Sequence, residues 1–243
     1  MKERIDKLLV DLGFAKSRQQ SQALILEGSV LVNEECLDKP GMRVDTSSAV
    51  RLKNPPQPYV SRGGLKLEKA LEVFATSIEG WICLDIGAST GGFTDCLLQH
   101  GAARVFAVDV GHNQLDWKLR SDPRVVSIEG LNARYLSFDT IGVKVDLVTM
   151  DLSFISLTLV LPVTPPFTKP GTIVICLVKP QFEVGKGQVE KGGLVTDPEK
   201  HRQVIQKIRT SCASLGFREL GVVESPIAGM EGNKEFLMGL VMA

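Results

Sequence analysis

Between Leu84 and Thr94 the chain reads Leu-Asp-Ile-Gly-Ala-Ser-Thr-Gly-Gly-Phe-Thr. Ile82 to Ile86 is a short apolar run of the kind that forms a buried parallel strand, and Phe93 to His100 reads as the start of a helix. A turn of small residues separates them. A strand, a glycine turn and a helix bring backbone N–H groups and bare Cα atoms up to a ligand. Glycine is needed there because a Cβ would hold the ligand off and because some turn positions require positive φ. Gly87 is followed by Ala88, Ser89 and Thr90 before Gly91-Gly92, so the spacing departs from the Gly-x-Gly-x-x-Gly of a pyrophosphate-binding turn. A second strand, Val105 to Val108, ends at Asp109, an acid placed about twenty residues on, where ribose hydroxyls are commonly held. Glycine turns after strands are common in themselves; Asp85 and Asp109 favour a cofactor loop over a plain turn.

The same alternation continues toward the C-terminus. Val125 to Ile128, Val145 to Met150 and Ile173 to Val178 read as further strands, followed by Asn132-Ala-Arg134, Asp151-Leu-Ser-Phe-Ile-Ser156 and Lys179-Pro-Gln-Phe-Glu183. A β-α-β series predicts an α/β fold with a doubly wound parallel sheet and right-handed crossovers. Asp85, Asp109, Asp151 and Lys179 all fall where an apolar run gives out, which is the ligand-binding rim of such sheets. A helix with Leu67, Ala70, Leu71 and Phe74 on one face precedes the series, and Lys66 falls at the edge of that stripe, solvated or drawn in. Residues 180–196 read as a long Gly- and Lys-containing loop suited to a lid over an anionic substrate. Thr196-Asp-Pro-Glu199 opens a capped helix with a core face of Val204, Ile205, Ile208, Cys212 and Leu215. Leu220 to Val223 and Phe236 to Val241 are expected as an antiparallel edge, with Glu235 at the boundary of the last strand.

The first 53 residues form a separate pattern. Ile5, Leu8, Leu9 and Leu12 recur at helical spacing up to Gly13, and Ser17-Arg-Gln-Gln20 is a capping box opening a helix that Gly28 ends. Val30 to Val32, a turn from Asn33 to Glu35 and Cys36-Leu37 suggest a hairpin, with Val44 and Val50 to Leu52 as further short strands. Nine basic against eight acidic residues over positions 1–58 give no electrostatic case for nucleic acid. Placement is more telling: Arg4, Lys7, Lys16 and Arg18 fall at the helix starts and in the turn between them, as a phosphate-gripping patch or an ordinary solvated face. Residues 54–60, with three prolines in Asn54-Pro-Pro-Gln-Pro58, read as a stiff linker to a domain spanning 61–243.

Across 243 residues the formal net charge is zero, and 44% apolar content is enough for a real core. Five scattered cysteines suggest reduced thiols rather than disulfides or a zinc site. No apolar run approaches the roughly 18 residues that span a bilayer, so a cytoplasmic protein is expected.

Several segments resemble known families. Leu84 to Thr94 resembles motif I of S-adenosylmethionine-dependent methyltransferases. Arg4-Ile-Asp-Lys-Leu-Leu-Val-Asp-Leu-Gly, Ser17-Arg18 and Gly28-Ser-Val-Leu-Val-Asn33 resemble the S-four RNA-binding domain. Lys66, Asp151, Lys179 and Glu235, in that order, match the Lys-Asp-Lys-Glu tetrad of FtsJ-like ribose 2′-O-methyltransferases. With Ser61-Arg-Gly and Val178-Lys-Pro-Gln-Phe-Glu-Val-Gly-Lys-Gly-Gln, the whole chain is similar to the TlyA family. The resemblance implies a Rossmann-like methyltransferase domain with a small α+β RNA-binding domain, acting on cytidine ribose in the ribosomal RNA of one or both subunits. Lys179 would be the base, Asp151 would set its position, and Lys66 and Glu235 would complete the substrate site. Asp85, Gly87, Ser89, Thr90, Gly91 and Phe93 would form the cofactor loop, with Asp109 on the ribose and Asn132 near the adenine. The family's RNA contacts carry over to Arg4 and Arg18; Lys7 and Lys16, from their placement, and Arg62 are expected to contact RNA beside them. The family's linker pattern ends in Arg-x-aromatic-Val, whereas Gln57-Pro-Tyr-Val60 lacks the arginine. Two other readings remain: a membrane-active protein, since members of this family have carried a haemolysin label, and an RNA binder with an inert methyltransferase fold.

Overall fold

The computed structural model describes residues 2–53, 58–75, 77–185, 187–229 and 232–243, and the chain divides into two units, Met1–Gln57 and Pro58–Ala243. Positions 54–57 of the expected linker and Lys186 of the expected lid lie outside the described residues.

In the first unit, β1 (Lys2–Arg4) runs into α1 (Ile5–Asp11), followed by α2 (Arg18–Leu26), β2 (Val30–Val32), β3 (Glu35–Leu37), β4 (Arg43–Asp45) and β5 (Val50–Leu52). The Ser17 hydroxyl accepts from Gln20 N at 3.2 Å, and the Gln20 side chain reaches back to Lys16 N at 2.7 Å, one residue earlier than a capping box requires. The hairpin turn is Asn33-Glu34, both in the left-handed region at φ 50° and 70°, as the twist of a two-residue connection demands. Glu35 therefore belongs to β3 and not to the turn. The strands form two sheets: β3-β2-β5, and a pair of β1 with β4 that the sequence pattern did not reveal. Ile5, Leu8, Leu9 and Ile25 pack on Val30, Val32, Leu37 and Leu52 as the core, while Leu12 stays 49% exposed.

The second unit opens with α3 (Gly63–Phe74), and its sheet begins with β6 (Ile82–Ile86). Then come α4 (Gly92–Gln99), β7 (Arg104–Val108), α5 (Trp117–Arg120), β8 (Val125–Ile128), α6 (Phe138–Ile141), β9 (Leu147–Met150), β10 (Ile173–Val178), α7 (Pro180–Glu183), α8 (Pro198–Ser214), β11 (Phe217–Glu224) and β12 (Phe236–Met242). The sheet order is β11-β12-β10-β9-β6-β7-β8. Strands β6 to β10 are parallel, and β12 runs antiparallel between β10 and β11. Two apolar layers sandwich the sheet. Leu84, Ile86, Val148, Met150 and Val174 face one; Cys83, Leu147, Ile175 and Leu177 face the other, with Leu67 and Leu71 of α3 and Leu97 of α4. Truncating a fully buried leucine such as Leu67 costs about 3 kcal/mol and loosens the helix that carries Lys66.

The helical crossovers are shorter than the β-α-β pattern suggests. Between β9 and β10 the chain makes three 3₁₀ turns, Leu157–Leu159, Leu161–Val163 and Pro165–Phe167. Pro162, Pro165 and Pro166 remove the N–H groups that an α-helix would need there. Strand β6 lies between β9 and β7, so successive strands depart to opposite sides of it. The carboxyl ends of β6 and β9 are therefore the switch point at which such sheets bind ligands.

Candidate active site

The glycine loop is shaped by two positions where no side chain fits. Gly87 has φ +87°, and a Cβ there would overlap the Asp151 carbonyl oxygen. A Cβ on Gly92 would overlap the Ser61 hydroxyl. The loop is thereby packed between the segment entering α3 and the segment leaving β9. Gly91, at φ +97°, starts α4 with its Cα against Leu115 and Leu119.

Four charged side chains converge beside this loop. Lys66 comes from the second turn of α3 and is 9% exposed. Its ammonium lies 2.5 Å from Glu235, which is 2% exposed and immediately precedes β12. The stripe-edge lysine is thus drawn inward. A Cβ on Gly229 would overlap the Glu235 carboxylate, so that turn must be glycine to let the acid through. Strand β10 runs into Lys179 in extended geometry, and Pro180 turns the chain into α7. Lys179 Nζ lies 2.6 Å from Asp151 Oδ1 and donates to Ser153 Oγ at 3.0 Å. All four charges line one cavity of about 380 Å³, together with Arg62, Gly87, Ser89, Thr90 and Phe93. Arg62 is exposed and has no charged partner among the described residues, leaving the cavity rim with one excess positive charge.

A second cavity, of about 970 Å³, shares Gly87, Ser89, Asp151 and Ser153 with the first and extends to Asp109 and Asn132. Asp109 accepts from Ser89 N at 2.8 Å and Gly111 N at 2.7 Å, one bond to each oxygen, so two of its four lone-pair sites remain for ligand hydroxyls. The Asn132 side-chain Oδ1 accepts from Arg134 N at 3.1 Å, which leaves its Nδ2 hydrogens available. Val110, Leu159 and Phe154 line this cavity while 66%, 55% and 87% exposed. Apolar walls over a carboxylate with spare acceptors fit an adenosyl group: a purine covers the former, ribose hydroxyls reach the latter.

Asp85 and Gly91 line neither cavity. Asp85 is fully buried below the loop, accepting from Thr94 Oγ1 at 2.7 Å and Thr149 Oγ1 at 2.9 Å. Burial pushes its carboxyl up to about 6, against the two threonine hydrogen bonds that favour the ionised form. It ties β6 to α4 and β9 and touches the ligand space only through them.

The sequence marked the segment from Asp151 to Ser156 but gave no role to Phe154 or Glu183. Phe154 sits in the left-handed region at φ 63°, unusual for a bulky residue, and packs on Phe182 with ring centroids 5.0 Å apart. Glu183, 5% exposed, accepts from Leu157 N and from Ser156 Oγ, both at 2.6 Å, with Lys207 Nζ at 3.4 Å as its counter-charge. Lys179, Phe182 and Glu183 thus grip the start, middle and end of that loop. The motif Asp151-Leu-Ser-Phe-Ile-Ser156 signalled the region; nothing near Gly229 in the sequence signalled its close approach to Glu235. The expected lid is pinned where it is described: Asn233 receives Val195 N at 3.0 Å and donates to Gly193 O at 2.9 Å, and Lys200 reaches Gln188 O at 2.9 Å.

In the N-terminal unit, Arg4 and Arg18 meet at the buried Asp6. Lys7 pairs with Glu3 and Asp11, and the Lys16 ammonium has no partner among the described residues.

Comparison with known proteins follows the same division. The FtsJ-like methyltransferase family matches residues 59–242 and the S4 domain residues 3–50. The chain is 47% identical over 238 residues to the 16S/23S rRNA (cytidine-2′-O)-methyltransferase TlyA of Mycobacterium tuberculosis, covering 98% of this chain and 89% of that one. It is 41% identical to hemolysin A of Brachyspira hyodysenteriae, covering 98% of this chain and 100% of that one. A solved structure described as a hemolysin from Streptococcus thermophilus matches with a TM-score of 0.76 at 45% identity, covering 100% of this chain and 89% of that chain. With both family matches and relatives of this identity over nearly its full length, the chain belongs to the TlyA family of FtsJ-like methyltransferases.

Proposed function

We propose that this chain transfers a methyl group from S-adenosylmethionine to the 2′-hydroxyl of cytidine in ribosomal RNA. The observation that carries this reading is the pair of ion pairs, Lys66–Glu235 and Lys179–Asp151, lining one cavity beside the glycine loop. When bound, the cofactor supplies an electrophilic methyl on sulfur and leaves as S-adenosylhomocysteine. Gly87, Ser89, Asp109 and Asn132 would hold it, with Val110, Phe154 and Leu159 against the base.

A ribose hydroxyl attacks only as it loses its proton, and Lys179 is the group to take it. As a neutral amine, Nζ has two hydrogens and one lone pair. Ser153 Oγ accepts one of those hydrogens, and Asp151 lies 2.6 Å away as a charge partner rather than a hydrogen-bond acceptor, so the lone pair can turn to the incoming hydroxyl. Asp151 then faces the ammonium that forms. Lys66, held by Glu235, places a second cation near the attacking oxygen, where negative charge develops. Arg62 at the rim suits a phosphate flanking the target nucleotide. Relatives named hemolysins raise a membrane-lytic reading; among the described residues no helix is long and apolar enough to cross a membrane.

The test is transfer of labelled methyl from S-adenosylmethionine to unmodified small and large ribosomal subunits, followed by mapping of 2′-O-methylated nucleotides. Label at cytidine ribose supports the reading. Label on a base, or none on either subunit with the cofactor bound, overturns it.

A further inference from the structure

The N-terminal unit contains a carboxylate whose surroundings exceed what charge balance requires. Asp6, in the first turn of α1, is fully buried. Its Oδ1 accepts from Arg4 Nε at 3.0 Å; its Oδ2 accepts from Arg4 Nη2 at 3.0 Å, Arg18 Nη2 at 2.8 Å and Gln22 Nε2 at 3.1 Å. Three of the four bonds crowd on Oδ2, one more donor than that oxygen has lone pairs, and the fourth falls on Oδ1. Hydrogen bonding from Arg4, ahead of the opposing effect of burial, holds the Asp6 carboxyl well below the usual carboxylate range, so it stays ionised under all physiological conditions.

The arginines are not consumed by this contact. Arg4 commits two nitrogens and Arg18 one, and their side chains remain 46% and 56% exposed. Each therefore keeps several of its five N–H donors facing solvent. They come from different elements, β1 and α2, yet converge on a single oxygen atom, so the two guanidiniums lie side by side. A free arginine loses about 2 kcal/mol of side-chain freedom when it is fixed on a ligand. Here that ordering is already done by Asp6, which Gln22 holds in turn, while the net charge of the group remains positive.

We propose that Asp6 is a positioning residue that presents Arg4 and Arg18 as two prongs gripping one phosphodiester of the RNA. This rests on the ribosomal RNA reading above. The proposal separates cleanly from simple electrostatics. Asp6→Asn makes the unit more positive by one charge, so charge alone predicts tighter RNA binding. Loss of the shared acceptor releases the two guanidiniums and predicts weaker binding.

The experiment uses the full chain and fluorescein-labelled, protein-free ribosomal RNA at several salt concentrations. Asp6→Asn is expected to bind about tenfold more weakly at ~0.1 M salt, with a salt dependence shallower by about one unit of slope for each phosphate the protein no longer grips. Equal or tighter binding overturns the proposal. Arg4→Gln, Arg18→Gln and the double variant guard against misfolding of Asp6→Asn, because each keeps the carboxylate and still offers it an amide donor. Two prongs on one phosphate act as a unit, so the double variant should weaken binding clearly less than the product of the two single effects; independent effects overturn the proposal. If wild-type protein fails to bind the RNA, the ribosomal RNA reading falls as well; if it binds and Asp6→Asn binds equally, only the Asp6 assignment falls.

Discussion

Lys66 and Glu235 stand 169 residues apart in the chain and meet at 2.5 Å, almost out of reach of water. Removing one member strands the other as a buried charge, which costs about 3–5 kcal/mol. Glu235→Ala and Lys66→Met should each lower stability by that order in urea unfolding, whereas Lys66→Met with Glu235→Leu should be far less destabilised. Gly229→Ala reaches the same pair indirectly, since the added methyl displaces the Glu235 carboxylate. Methyl transfer should fall sharply in that variant while cofactor binding persists.

Glu183 holds the far end of the Asp151–Ser156 loop. Glu183→Ala should expose the Leu157 amide to hydrogen exchange and lower kcat, and Glu183→Gln should recover part of both. If the effect on kcat runs through the loop, it should nearly vanish in a Phe154→Ala background. Simple addition of the two effects would place Glu183 outside the reaction.

Phe154 stores backbone strain at φ 63°, worth about 1–3 kcal/mol. Glycine ordinarily destabilises a site relative to alanine by up to about 1 kcal/mol. At this position the order should invert, with Phe154→Gly more stable than Phe154→Ala in thermal unfolding. Both should raise KM for S-adenosylmethionine.

Two buried carboxyls give opposite pH dependences. Asp85 has its folded value raised to about 6, so the stability linked to its neutral form is complete below the unfolded value near 4 and is lost as pH rises through 6. Asp85→Asn should therefore be more stable than wild type at pH 8, by on the order of 3 kcal/mol, and the gap should close by pH 4. Asp6 is held low, so its contribution is present above the ordinary carboxylate range and is lost only in stronger acid. Thermal unfolding across pH 2–8 tests both signs.

Much of this architecture is legible in the sequence because parallel strands buried on both faces read as apolar runs. Ile82–Ile86, Ile173–Val178 and the placement of Asp151 and Lys179 just past such runs follow from that pattern, whereas Lys66 in α3 and Glu235 ahead of β12 were identified through the family resemblance. The strand pair β1-β4 escaped it, because Lys2–Arg4 has no apolar alternation and its pairing with Arg43–Asp45 is long-range. Asp85 was expected at the cofactor because it ends an apolar run. Strand parity sends it instead to the side of Cys83 and α4, where Thr94 takes it. The burial of Lys66 was undecidable from its stripe-edge position, since a lysine there can extend to water or fold inward. Its partner, contributed from the far end of the chain, settles the choice.

The central claim is that Lys179, oriented by Asp151 and Ser153, removes the ribose proton. The most direct measurement is single-turnover methyl transfer to unmodified ribosomal subunits by wild type and Lys179→Ala, with S-adenosylhomocysteine and RNA affinities measured on the same preparations. A fall of about 10²–10⁴-fold in rate, with both affinities within a few-fold of wild type, is the predicted result. A Lys179→Ala rate near that of wild type would contradict the account.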